Sequence, residues 1–517
     1  MAEKGEKVTF SDDMNEGPKV KKQKIETKSI ALPTSLIVKF LNQDKQLTGN
    51  PIDVPVDITI KQLEILINSL LENDNAVPFA FYVNEIEVMH SLKETLEQLK
   101  ESQGKEFSLE ETLTITYQPL SVFRVRPVTR CSETMPGHTD AVIHVSYSPD
   151  GKKLASGGGD LMVRFWNIVT SMPEHVCAGH RHHVLCTAWS PNGKYFISGD
   201  RSGEIRIWDP VTGLQRGQPL SGHKKWITSI TFEPLHMDPN CTRFATSSKD
   251  HTVRVWNLSN GSCETTISGH TDSVECVKWG GSGLIYTCSR DRTIKVWAID
   301  GSGRSQQKLV RTLSGHAHRI NSLALNCDYV IRTGSYELGP KSSSGSSSAP
   351  TTPEEIQALA LQRYRTLVGS EGERLVSCSD DFTLFMWKPE EDKTPITRMT
   401  GHQQLVNHIA FSPDGRYVAS ASFDKKVKLW CGKTGRFIAT LTGHVGAVYQ
   451  VSWSADSMYL ASASKDSTVK VWYTKDTKKA VYTLSGHEDE VYTLDWSPDG
   501  TQLASGSKDR TIKIWRN

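Results

Sequence analysis

The chain has little that would mark it as an enzyme, a secreted protein or a membrane protein. Its ten cysteines are scattered singly, with no CxxC pair. That usage suits reduced thiols in the cytosol or nucleus and argues against a disulfide framework. No apolar run reaches 18 residues, so no transmembrane helix is expected. The opening MAEKGEKVTF lacks the apolar centre of a secretory leader. HExxH and GxSxG are both absent. CGKT (Cys431–Thr434) is half of a phosphate loop, but Val427 stands where that motif needs its first glycine. A non-catalytic protein without a cofactor of its own is the expectation.

Charge is nearly balanced overall at +2, but unevenly spread. Residues 34–118 carry six Lys/Arg against fourteen Asp/Glu, a balance of −8; residues 1–33 carry seven against six, or +1; the remaining 119–517 therefore carry +9. An acidic small domain precedes a basic large one, which hints at nucleic acid or acidic partners for the latter.

The large part is periodic. Gly-His pairs begin at Gly137, Gly179, Gly222, Gly269, Gly315, Gly401, Gly443 and Gly486, at spacings of 42, 43, 47, 46, 86, 42 and 43. Each is followed by strand-like runs, the last ending in Trp166, Trp208, Trp256, Trp297, Trp387, Trp430, Trp472 or Trp515. This pattern resembles the WD40 repeat, four strands to a propeller blade, and predicts eight blades. An Asp lies six residues before the Trp in seven repeats: Asp160, Asp250, Asp291, Asp381, Asp424, Asp466 and Asp509. In such repeats His, Asp, a strand Ser/Thr and the indole N–H form a buried hydrogen-bond chain, as His444, Ser462, Asp466 and Trp472 would here. Recurrence once per blade makes these building parts, not metal or acid–base sites. The second repeat has Ser202 at the Asp position, so its network should be weaker or rearranged through Asp200. Trp189, Trp279, Trp453 and Trp496 occupy matching first-strand places and read as core. Trp226, beside Lys224 and Lys225, reads equally as a contact residue or as local packing.

The last repeat stops three strands in, so a fourth must come from elsewhere. SVFRVRPVTR (121–130) alternates and is predicted to complete the final blade, latching the ends of the domain. The gap of 86 is one blade with an insertion over 336–370. It holds a flexible Ser/Gly run at 342–348 and a helix over Ile356–Leu367, with Thr352 as N-cap, Pro353 at the first position and Glu354/Glu355 in the first turn. That helix reads as cover for its blade, with partner docking as the alternative.

Residues 1–33 read as a disordered basic tail containing an import-like PKVKKQK (Pro18–Lys24). From Ser35 the order is strand, strand, helix, strand, short helical turn, strand. SLIVKFLN and NPIDVPVD are the first strands. Ile60, Leu63, Ile67 and Leu70 share a helical face. PFAFYVNEIEV is the third strand, SLKETLEQL the turn, and TLTITYQP the last strand. The segment (34–118) resembles a ubiquitin-like domain, so the fold class is mainly β: an eight-bladed WD40 β-propeller preceded by a small α+β domain.

The pairing of these domains, together with YQPLSVFRVRPVTR at the junction, GHKKWITSITFEP, SVECVKWGG, the helix after TPEE, and RMTGHQQLVNHIAFSPDGRYVASASFD, resembles the Notchless family of large-subunit ribosome assembly factors over nearly the whole length. The resemblance implies a propeller docked on the nucleolar and nuclear pre-60S particle, among ribosomal RNA, ribosomal proteins and assembly factors. It implies a ubiquitin-like domain gripped by the metal-ion-dependent adhesion site of the AAA ATPase midasin, with ATP-driven remodelling and release. The family's acidic ligand stands seven residues before the Tyr of YxP; here that Tyr is Tyr117 and the ligand position is Glu110. Glu110 would thus offer a carboxylate oxygen to a divalent ion held by the partner, as a hard cation prefers, while neighbouring Glu111 points elsewhere. A monomer within a large complex, with no membrane partner, is implied. On the propeller, Arg181, His182, His183, Lys224, Lys225, Trp226 and Arg319 are candidate contacts for RNA or an acidic factor. A ubiquitin-ligase substrate adaptor and a G-protein-β-like signalling scaffold are the rival readings. The first would be expected to bring a helical box and the second sustained heptads, and neither precedes Gly137.

Overall fold

The computed structural model describes residues 34–73, 77–103, 112–120, 125–299, 307–336, 352–477 and 479–517. The tail with PKVKKQK, the Ser/Gly run, Glu110 and Glu111 lie outside the described residues.

The N-terminal domain is a five-stranded sheet in the order β2-β1-β5-β3-β4. Its elements are β1 (Ser35–Leu41), β2 (Leu47–Pro55), α1 (Ile60–Leu70), β3 (Phe79–Val83), β4 (Ile86–Glu87), α2 (Leu92–Gln103) and β5 (Leu113–Pro119). β1 and β5 run parallel at the centre. Leu63 and Ile67 of α1 are fully buried against Val38, Phe40, Phe81 and Ile115, with Ile60 and Leu70 packed at the edge. The alternation in LTITY buries Leu113, Ile115 and Tyr117 on one face. Two expectations are corrected. PFAFYVNEIEV is a hairpin, because Asn84 and Glu85 both take positive φ (45° and 67°), the turn that matches strand twist. SLKETLEQL opens a 12-residue helix instead of a short turn, with Leu92, Leu96 and Leu99 on its buried side.

Eight further sheets form the propeller. Seven have four strands. In blade 2 only Val184–Trp189, Phe196–Asp200 and Ile205–Trp208 are strands, and bridges at Leu220 and Gln215 stand in for the fourth. The outer strand of blade 8 is β6 (Arg130–Pro136), paired antiparallel with Thr511–Arg516. The latch therefore exists, but nine residues after the predicted start of SVFRVRPVTR. The reason is geometric: in each complete blade the outer strand feeds directly into the next Gly-His loop, so the segment immediately before Gly137 must take that place. Val125 and Val128, within the predicted strand, instead anchor the lower edge of blades 7 and 8, where the Val125 N–H donates to Asp456.

Every blade contains the expected chain. His Nδ1 lies 2.7–3.2 Å from a carboxylate, and the Trp N–H donates to the Ser/Thr hydroxyl at 2.7–2.9 Å. In blade 7, Trp472 donates to Ser462, the Ser462 hydroxyl meets His444 Nε2 at 2.8 Å, and His444 Nδ1 meets Asp466 at 2.9 Å. Blade 2 is rearranged through Asp200: it takes His180 at 3.2 Å and accepts from both the amide and hydroxyl of Ser202. The residue after the acid position is left-handed in every blade. Seven use a non-glycine, from Leu161 to Arg510, at φ 62–69°. Blade 2 uses Gly203 at φ 95°, where a Cβ would meet the His223 carbonyl oxygen at 2.7 Å. The four first-strand tryptophans are buried as expected.

Candidate functional site

The two faces of the propeller differ. Each first strand starts at the Gly-His face and ends at the opposite, lower one. On the lower face the chain covers itself. After the strand Ile320–Leu325, α3 (Asp328–Thr333) crosses the lower mouth of the central channel. Asp328 pairs with Lys278 of blade 4 at 3.0 Å. Arg332 forms a two-pronged pair with Asp495 of blade 8 and donates to the Tyr147 carbonyl of blade 1. Tyr329 donates to the Pro498 carbonyl, and Tyr336 to that of Asn192 in blade 2. One helical turn thus ties together blades that are far apart in sequence. Above it lies a cavity of about 360 Å³, lined among others by His144, Thr187, Lys278, Arg332, His408 and Asp495. Burial pushes His144 and His408 down to about 4.

α4 (Pro353–Val368) continues the cover. Thr352 and Glu355 cap it reciprocally, with Pro353 at the first position, a motif that satisfies otherwise orphaned amides. Ala360 is buried against the blade 3 core with Phe232 and Leu235. Tyr364 stacks on His236 at 4.7 Å and donates to Glu373. Glu373 is buried and also accepts from Tyr286 at 2.9 Å and from the Gly281 amide. The described part of the insertion, α4 and the turn after it, is a lower-face cover that reaches blades 3 and 4.

The N-terminal domain docks on the same lower face at blade 6. Glu87 of β4 accepts from Arg416 and from the Tyr417 hydroxyl, both at 2.8 Å. Asp414 holds Arg416 at 2.6 Å, and its carbonyl accepts from Gln118 of β5 at 3.2 Å. Lys433 lies over the Tyr82 ring at 4.5 Å. Burial raises the Tyr417 hydroxyl far above its ordinary range, and the Glu87 charge adds to this. The tyrosine therefore stays a donor.

The Gly-His face carries the candidate contacts. In each blade the amide just before the acid position donates to the carbonyl just before the first strand: Gly159 to Ala141, Arg201 to His183, Lys249 to Trp226, Arg290 to Ser273, Asp380 to Arg319, Phe423 to Leu405, Lys465 to Ala447 and Lys508 to Glu490. These eight pairs ring the upper mouth of the channel. Arg181, His182, Lys224 and Lys225 are exposed, and His183, Trp226 and Arg319 half-buried. Arg319 is set apart because Asp380 takes its charge. Around Trp226 the structure assembles residues the sequence reading missed: the Arg201 guanidinium is 4.5 Å and the Lys249 ammonium 4.0 Å from the indole centroid. Both stand seven residues before a closing Trp, a position the period exposes. On the opposite arc, Phe423, Tyr449 and Tyr492 form a row, the first pair edge-on at 5.7 Å and the second tilted at 5.6 Å. Among the described residues, His180, Asp200 and Glu204 are the one cluster spaced for a metal, but His180 and Asp200 already serve the blade 2 chain and Glu204 accepts from Arg206.

Comparison with known proteins places these features. A family model described as "NLE (NUC135) domain" matches residues 36–96, and "WD domain, G-beta repeat" matches seven stretches between 129 and 516. Blade 5, split by the insertion, is not among the seven. The Drosophila melanogaster "Protein Notchless" is 49% identical over 397 residues, 77% of this chain and 78% of that protein. The Arabidopsis thaliana "Notchless protein homolog" is 50% identical over 390 residues, 75% and 78%. "Ribosome assembly protein 4" of Saccharomyces cerevisiae is 42% identical over 410 residues, 76% of each. Among solved structures, the computationally designed Ika8 protein shares the fold, with TM-score 0.57 and 23% identity over 75% of this chain and all of that one.

Proposed function

The chain belongs to the Notchless family, and from that premise we propose that it is a non-catalytic assembly factor of the large ribosomal subunit, acting in the nucleolus and nucleus. The observation that carries the reading is the 42% identity, over three-quarters of both chains, to a relative named for ribosome assembly. In this reading the propeller docks on the pre-60S particle. The N-terminal domain is the handle, gripped by midasin at its metal-ion-dependent adhesion site, and Glu110 supplies a carboxylate oxygen to the partner's ion. ATP-driven motion of midasin then remodels the particle and releases the factor. Support for a handle comes from the docking at blade 6: a pull on the acidic domain is passed to the propeller through Glu87, Arg416 and Asp414 as well as along the chain.

The test is Glu110→Ala. Magnesium-dependent binding to the isolated midasin adhesion domain should be lost, while co-sedimentation of the variant with pre-60S particles persists. Metal-dependent binding retained by the variant removes Glu110 from the role. Loss of particle association by the wild-type chain removes the assembly reading itself.

A further inference from the structure

The Gly-His face is the propeller face on which the chain, among its described residues, lays neither its insertion nor its N-terminal domain. Six Lys/Arg stand among the ring pairs of this face, Arg201, Lys249, Arg290, Arg319, Lys465 and Lys508, and four of them are neutralised in place. Arg290 pairs with Glu275, Arg319 with Asp380, Lys465 with Glu490 and Lys508 with Asp489. Blades 2 and 3 break the rule. Arg201 and Lys249 occupy the same ring positions but rest on Trp226, with no carboxylate paired to either among the described residues. The acids beside them are already used: Asp200 and Asp250 by the blade chains, Glu204 by Arg206. Arg181, Lys224 and Lys225 extend the sector outward, exposed and, among the described residues, likewise without an ion pair. Lys249 is partly buried and faces Arg201, Arg290 and Arg319, with Glu275 as the opposing charge, and its ammonium is pushed below its ordinary range, by burial first and then by those cations. A cluster of this kind is relieved by an incoming anion.

The aromatic part narrows the class of anion. A carboxylate-rich peptide would use the charges but has no use for an indole with a guanidinium against it. A nucleic-acid strand uses both: bases stack on aromatic rings and on guanidinium groups, and phosphates take the lysines. A continuous duplex presents no free base face, so an unpaired strand fits best.

We propose that the blade 2–3 sector of the Gly-His face binds an unpaired RNA strand, one base stacking at Trp226 and Arg201 and the adjoining phosphates held by Arg181, Lys224, Lys225 and Lys249. This rests on the assembly reading only for the presence of RNA as the nucleic acid at hand.

The experiment uses the full chain and a fluorescein-labelled 15-mer oligouridylate, followed by anisotropy across a salt series. The wild type should bind, with log affinity falling linearly in log salt. Lys224→Gln/Lys225→Gln/Lys249→Gln should flatten that slope by about 2, at roughly 0.7 per single-strand phosphate contact. Trp226→Ala should weaken binding about tenfold or more with the slope unchanged, the scale of one stacked base. Lys308→Gln/Lys393→Gln/Lys475→Gln, a charge-matched change at exposed sites away from the Gly-His face, should match wild type. An unaltered slope in the first variant, wild-type affinity in Trp226→Ala, or an equal affinity for polyglutamate overturns the proposal. Particle association is read separately by co-sedimentation. A wild-type chain that joins particles but does not bind oligouridylate overturns this inference and leaves the assembly reading standing. Oligouridylate binding with the expected variant pattern, in a chain that never joins particles, supports the inference and overturns the assembly reading.

Discussion

Replacing Glu87 by alanine should loosen the N-terminal domain from the propeller without unfolding either. The magnitude follows from what Glu87 holds. Its two oxygens accept from Arg416 and from Tyr417, each at 2.8 Å, and bonds to a charged group contribute about 1.5–3 kcal/mol each. Two features lower the sum. Arg416, only 3% exposed, keeps Asp414 at 2.6 Å, so its guanidinium is not orphaned and the cost stays below the roughly 3–5 kcal/mol of an unpaired buried charge. Glu87 itself is 19% exposed, so water can reach the vacated space and serve the Tyr417 hydroxyl. A loss of about 2–3 kcal/mol remains, or roughly 30- to 150-fold in the docking equilibrium. Tyr417→Phe keeps the buried ring, gives up one bond to the carboxylate, and should cost about 1.5 kcal/mol, the low end for a bond to a charged group because water reaches Glu87. Hydrogen–deuterium exchange reads the change directly: amides of the β3–β4 hairpin and of residues 414–418 should exchange faster in Glu87→Ala, and the scattering-derived radius of gyration should rise. The melting temperature of the propeller should not move. If exchange and radius are both unchanged in Glu87→Ala and in Arg416→Ala, the domain is held by something other than this cluster.

Three further outcomes are expected. Glu373→Ala strands the donors of Tyr286, Tyr364 and Gly281 in a buried place and should destabilise the propeller by about 3–5 kcal/mol, seen as a lower melting temperature and earlier proteolysis at α4. His144 and His408 are held near 4, below the ordinary imidazole value. The fold therefore favours their neutral forms: their contribution is whole above pH about 6.5 and is lost as pH falls towards 4, about 2–3 kcal/mol each. Calorimetry from pH 7 to 4 should show this decline, and His144→Gln/His408→Gln should flatten it. Ser202→Asp, which restores the acid of the repeat pattern, should destabilise blade 2 by about 1–2 kcal/mol because Asp200 already fills that role and two carboxylates would share it; Asp200→Ser/Ser202→Asp should recover most of the loss in chemical denaturation.

The blades were readable because their spacing is written in residues that cannot be moved: a Gly-His, an acid and a Trp that must meet in three dimensions. The same regularity made the blade 2 departure visible, since Ser202 breaks a column in which Asp200 is the nearest substitute. Alternation alone places the latch nine residues too early, because SVFRVRPVTR alternates well whereas RCSETMP has a weaker pattern. Its place is dictated by the Gly-His loop it must enter, a constraint of connection and not of hydrophobicity. α3 left little trace, for CDYVIRT is too short to show helical period. Its purpose lies in partners contributed by blades 1, 4 and 8, none of them near in sequence. Arg201 and Lys249 stand outside the loops after Gly-His, yet the ring around the channel is built equally from the turns before each acid. The Glu87 cluster joins residues more than 300 positions apart, and no pattern within either domain announces it.

The latch also fixes how the ring answers a mechanical load. Along β6 the pulled end is Arg130, beside Arg516, while the partner strand is anchored into its blade at the far end, beside Pro136. A tug along the strand axis therefore loads the whole ladder in shear, every rung at once. A tug across the sheet would peel it, beginning with the Thr129–Arg516 bond. Val125 and Val128, wedged under blades 7 and 8, and the clasp at blade 6 lie upstream of that ladder and decide which of the two it feels. The propeller is thus directionally strong: it can be dragged as a unit along one line of pull, and opened along another.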